Sequence, residues 1–245
     1  MNQLKFLLLL SLGFFAFSCD DDNDDTTINE PALTTEEATA LVEAAVLSDS
    51  DGLLAETDDA VTLAVEYMEK SGGNPCGVSF DSTVSYNFEG NRITANYQTS
   101  WGWTVNCNDN SVPVTLDFSR SSSGTYESNS FSSDDQSQGS YLVENLLSGE
   151  DFTISGSTQR EGSQMSKVRN QNSIESVFDF TVSQLLIGKD SRMIESGTAT
   201  FTLNASSTGG RSANVQGSLD FLGDRSATLT FSGDTIEETT VTLTW

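Results

Sequence analysis

Three cysteines, at positions 19, 76 and 107, and 36 carboxylates are the side chains of this 245-residue chain best suited to chemistry, and no histidine accompanies them. Without an imidazole there is no Ser-His-Asp hydrolysis, no HExxH metallopeptidase, no His-ligated zinc and little scope for proton relays near neutral pH. Neither a GxGxxG fingerprint nor a P-loop pattern occurs, so nucleotide chemistry has no support. A carboxylate-only mechanism such as glycoside hydrolysis survives, because it needs only two acids roughly 5–10 Å apart. Glu144, Glu150, Asp151, Glu161 and Glu175 are available for it. Acids on β-hairpin loops are ordinarily just solvated, and the chain reads as a non-enzyme with no cofactor.

Two further patterns could bind ligands. Leu47-Ser48-Asp49-Ser50-Asp51-Gly52 resembles the start of an EF-hand loop, with acids third and fifth, glycine sixth and Asp58 in twelfth place. Asp49, Asp51 and Asp58 are therefore the candidate metal ligands. Leucine in the first position and aspartate in the twelfth favour an acidic turn between helices, and no metal is expected. Trp101 and Trp103 are the candidate ligand-binding aromatics, able to stack on sugar rings. They share the strand face of Ile93, Ala95 and Tyr97, which favours core packing.

These residues depend on two kinds of element. The spacing predicts a helix over Thr35 to Leu47, with Thr34 and Glu37 as a capping box and Ala38, Leu41, Val42, Ala45 and Val46 as its apolar stripe. A second helix is expected from Asp58 to Lys70, with Thr57 as N-cap and Val61, Ala64, Val65 and Met68 inward. Ser71-Gly72-Gly73-Asn74-Pro75 ends it. From Cys76 the period changes to two. Val78, Phe80, Val84, Tyr86 and Phe88 alternate with polar residues, then Ile93, Ala95, Tyr97, Trp101, Trp103 and Val105 do the same.

A two-residue Gly90-Asn91 hairpin loop would pair Glu89 with Arg92, Tyr86 with Ala95 and Val84 with Tyr97. It would leave Cys76 opposite Val105 and Cys107 opposite Asn74, so a bridge would need a bulge or an early end to pairing near Pro75, Gly77 or Gly102. Further alternating runs continue to Val241, Leu243 and Trp245, with Ser and Thr on the opposite face. The expectation is mainly β: an antiparallel meander of about ten strands, as a curled sheet, barrel or sandwich, preceded by an α-helical hairpin. Residues 119–140, rich in serine, read either as a long polar hairpin or as a flexible loop. The closing Thr-Val-Thr-Leu-Thr-Trp also admits an outer-membrane barrel, but the aromatics are scattered along the strands rather than gathered in girdles.

The first 25 residues carry an address. Lys5 precedes an apolar run from Phe6 to Phe17, too short to span a bilayer and suited to a secretory h-region. Ala16-Phe17-Ser18 before Cys19 resembles the lipobox of bacterial lipoproteins, and Asp20-Asp21-Asp22-Asn23-Asp24-Asp25 resembles the acidic export tag of surface-exposed Bacteroidetes-type lipoproteins. The resemblance implies cleavage before Cys19, lipidation of Cys19 and durable anchoring at the outer membrane, exposed at the cell surface. Cys76 and Cys107, left in an exported chain, read as one disulfide. The segments are then 1–18 signal peptide, 19–33 lipidated cysteine and acidic tether, 34–75 helical hairpin and 76–245 antiparallel β domain.

Charge bounds the partners. The chain carries 36 acidic against 11 basic residues, a net −25, which disfavours nucleic acid and anionic lipid head groups. The expected role is a surface-anchored lipoprotein of non-enzymatic binding or structural function, meeting an unknown protein or glycan partner. A carrier of a hydrophobic or glycan ligand in the curled sheet, or a carboxylate-only glycan hydrolase, are the alternatives.

Overall fold

Thr34 caps the first helix as its Thr-x-x-Glu spacing requires. Its hydroxyl accepts from the Glu37 amide at 3.2 Å while the Glu37 carboxylate accepts from the Thr34 amide at 3.1 Å. Helix α1 runs Thr35–Val46 and buries Ala38, Leu41, Val42 and Ala45. The computed structural model describes residues 31–70, 76–169 and 172–245; the signal region, Cys19, its acidic run and Pro75 lie outside the described residues. Ala32 and Leu33, expected in the tether, are buried instead, because the chain from Pro31 onward belongs to the folded unit.

Helix α2 runs Leu53–Lys70 and starts five residues before the expected Asp58. Gly52 provides the first carbonyl, accepting from Ala55 and Glu56, and Thr57 lies inside the helix with its hydroxyl donated to the Leu54 carbonyl. Leu53 and Leu54, both buried, make an apolar first turn that the later stripe did not include.

The rest is one sheet of ten antiparallel strands in meander order: β1 (Ser79–Glu89), β2 (Ile93–Cys107), β3 (Pro113–Ser128), β4 (Phe131–Glu144), β5 (Asp151–Ser166), β6 (Ser173–Gly188), β7 (Ile194–Ser207), β8 (Ser212–Gly223), β9 (Ser226–Gly233) and β10 (Ile236–Thr244). β1 and β10 are its two edges and the sheet is open, which decides between curled sheet, barrel and sandwich. An open sheet leaves unpaired edge groups that lipid cannot satisfy, so a membrane barrel is set aside. The serine-rich stretch 119–140 is a hairpin, β3 and β4 pairing from Thr115–Glu144 to Glu127–Ser132.

Alternation set the faces correctly, but the offset of the first hairpin differs. Tyr86 lies opposite Tyr97 and Phe88 opposite Ala95, because the turn falls on Asn91 and Arg92, with the Gly90 amide donating to the Ile93 carbonyl at 2.9 Å. The displacement is two residues, so every side chain keeps its face. The ladder ends at Ser79–Thr104. Beyond it Gly77 has φ +71 and its amide donates to the Val105 carbonyl at 2.9 Å, one residue off the ladder's offset. The Cys76–Cys107 disulfide forms there across a Cα–Cα distance of 5.5 Å. Gly77 is one of the positions at which the sequence calls for a bulge or an early end to pairing.

Bulges between Ile154 and Gly156 and between Ser183 and Leu186 interrupt the ladder of β5, β6 and β7 and bend it. At the second, Gly197 has φ +135, and a Cβ there would meet the Leu185 Cα at 2.7 Å. The helices sit on the sheet's inner face, α2 chiefly against β3–β5 and α1 against β10, with the short turn between them against β2. One core joins Leu41, Val42 and Leu53 to Phe118, Phe152, Phe180 and Phe231. That cover does not reach β1, where Phe80 and Val84, like Val78 just before it, are about 40% exposed although their alternation assigns them inward.

Candidate functional site

The inner face of the sheet is not wholly apolar. Strand parity places Arg120 beside Leu116 and Phe118, and Arg160 beside Phe152 and Ile154, so both guanidinium groups point at the helices and are buried. A charge in that position must be paired.

Arg120 reaches the turn between the helices. Its Nη2 and Nη1 donate to the two Asp51 oxygens at 2.5 and 3.2 Å, and Nε donates to Asp59 at 2.8 Å. Glu56 stands 3.8 Å away as a third anion. Ser122 also donates to Asp51, and the Trp101 indole donates to Asp59 at 3.0 Å. Three carboxylates thus surround one guanidinium. Burial opposes the charge on Arg120, yet Asp51, then Glu56 and Asp59, hold its pKa above the ordinary value. Burial pushes the Glu56 carboxyl up, with Arg120 and the hydroxyls of Tyr141 and Thr158 opposing. Asp59 is likewise raised by burial against the pull of Arg120.

Arg160 serves the end of α1. Its Nη2 donates to Asp135 at 2.9 Å, to the Tyr97 hydroxyl at 2.8 Å and to the Ser50 carbonyl at 2.9 Å, while Nη1 reaches the Ala44 carbonyl. The Tyr97 and Tyr126 rings lie 5.8 and 5.6 Å from its carbon. Burial drives the Tyr126 hydroxyl up to about 12, Arg160 opposing.

Arg169, beyond β5, serves the other end of α1. It pairs with Glu37 at 2.8 Å and donates to the carbonyls of Pro31 and Ala32, both at 2.8 Å. Ser166 donates to the same Glu37. These three arginines clamp the helical layer to the sheet.

The candidates named from the sequence are dispersed by this arrangement. Asp51 is taken by Arg120, Asp49 is exposed on the short 3-10 turn Ser48–Ser50, and Asp58 is exposed on α2, facing the β6–β7 and β8–β9 turns. Among the described residues no group of three or more His, Cys, Asp or Glu is placed to hold a metal ion. Trp101 is half-buried and tied to Asp59, and Trp103 stacks on Phe80 at 5.4 Å between centroids, both packed against the core. Glu161 and Glu175 stand on the outer face of β5 and β6, away from Glu144, Glu150 and Asp151 at the β4–β5 connection.

Counting parity onward from Phe118 would have placed Arg120 and Ser122 inward. The serine-rich surroundings hid that signal. No family model, curated protein or solved structure matches the chain.

Proposed function

We propose that the protein is a surface-anchored lipoprotein whose folded unit acts by binding or by building the cell-surface layer rather than by catalysis. Its outer sheet face carries the reading. One register row runs from Ser119 through Ser140, Ser157, Thr181, Thr200, Ser218 and Thr230 to Thr240, each residue opposite the next across eight strands. Such a row is polar without ions and is available to a partner, while the inner face beyond β1 is packed with the helices into one core. The resemblance of the first 25 residues to a lipobox and acidic export tag supplies the anchor.

The carrier alternative needs a groove on the inner face. Leu41, Leu53, Phe118 and Phe152 fill that face at 0–2% exposure, which weighs against a lipid-sized occupant. The hydrolase alternative needs two acids facing each other across a cleft, and the acids gathered around Arg120 are consumed in ion pairs.

Protease shaving of intact cells tests the placement. The wild-type chain should be degraded in parallel with a surface marker and a Cys19→Ala variant should leave the membrane fraction. Survival of the wild type under conditions that strip the marker would refute surface display.

A further inference from the structure

We propose that a cleft between α2 and the β6–β7 and β8–β9 turns binds a small carboxylate with an apolar body. The cleft encloses about 250 Å³ and is floored by Leu54, Val61, Ile187, Ile194 and the Trp245 indole, with Arg192 and Arg225 at its rim. It goes beyond the role proposed above and does not depend on where the chain is anchored.

The two arginines are not spent on the fold, as several other bases of this acidic chain are. Arg120, Arg160 and Arg169 are spent on the helical clamp, Lys167 pairs with Glu127, and Lys189 donates to three carbonyls of the β4–β5 connection. Arg192 and Arg225 make no ion pair with a described residue; Arg192 acts only through space on Asp58, which lies in the same cleft.

Their backbones add a second, independent observation. Arg192 has φ +54 and Arg225 φ +55, and Asp224 beside it has φ +50. Asp224 and Arg225 form the two-residue β8–β9 loop between the paired Gly223 and Ser226, a conformation that favours glycine in the second place. An arginine held there opposes the local preference, and such outliers gather where a side chain is needed.

A guanidinium fork matches a carboxylate, and the floor supplies apolar contact. The volume lies below that of drug-sized pockets and limits the occupant to about ten non-hydrogen atoms. Asp58 on the helical wall favours a single negative charge over two.

The test titrates the isotope-labelled full chain with octanoate and, separately, with 1-octanol, following backbone amides and the Trp245 indole by NMR. Arg192→Gly/Arg225→Gly removes both guanidiniums while suiting the left-handed backbone, so a melt should certify the fold. Saturable octanoate shifts at Trp245 and both turns, weakened about tenfold or more for octanol and for the double variant, are expected. Absence of saturation by about 10 mM, shifts centred elsewhere, or equal affinity for octanol or for the variant would each overturn the proposal.

Discussion

Arg160 and the Ala44 carbonyl are 116 residues apart in the chain and 3.3 Å apart in the fold. Helix α1 has no basic residue in its last turn, where a cation is favoured by the exposed carbonyls. The sheet supplies the missing cation from β5. The same guanidinium holds Asp135, so helix end, sheet and tyrosine pair are one buried unit.

Removing that unit's cation should be severe. Arg160→Met leaves Asp135 buried without its partner and is expected to cost about 3–5 kcal/mol in urea unfolding. Adding Asp135→Leu should restore part of the loss, because the uncompensated charge goes too. Additive losses in the double-mutant cycle would mean that the pair is not coupled.

Glu56 gives the fold a pH signature. Burial raises its carboxyl above the ordinary 4.5, so between 4.5 and its own value the native state binds more protons than the unfolded chain. By linkage this residue makes stability fall as pH rises through that window. Glu56→Gln should therefore exceed wild type in stability at neutral pH, with the gap closing as pH falls toward 4.5. Denaturation midpoints from about pH 4 to 8 read the difference directly, and a gap independent of pH would contradict it.

Which of these features the residues disclosed beforehand follows from the range of each interaction. The capping box of Thr34 and Glu37 and the two-residue alternation are local, and both were readable. The hairpin offset was not, since Tyr86 opposite Ala95 or opposite Tyr97 keeps the same faces. The start of α2 was missed because Leu53 and Leu54 are buried by strands far along the chain. Arg120 and Arg160 were least visible: their partners Asp51 and Asp135 lie 69 and 25 residues away, and charge on a strand normally signals solvent.

The Cys76–Cys107 bridge closes a separation of 31 residues at the start of edge strand β1. Cys76→Ser/Cys107→Ser should lose roughly 3 kcal/mol of stability, mainly by freeing the unfolded chain. Thiol titration of the unfolded, unreduced wild type should find neither cysteine reactive. Two reactive thiols at 76 and 107 would refute the bridge.

Gly52 sets how closely α2 follows α1. A Cβ at this position would lie 2.6 Å from the Ala45 carbonyl oxygen and 2.7 Å from that of Leu47, both backbone atoms that no rotamer change can move aside. Gly52 also donates its amide to the Leu47 carbonyl at 2.9 Å, so a shift large enough to admit a methyl group would break the turn's own hydrogen bond. The next residue back, Asp51, holds Arg120, and the displacement would pass directly into that clamp. Gly52→Ala is expected to destabilise by about 1–3 kcal/mol. The same change at exposed Gly149, where φ is +73 with open space around it, would meet only backbone strain and should cost less. A urea series comparing the two separates contact from conformation: equal losses would mean that Gly52 is not sterically required.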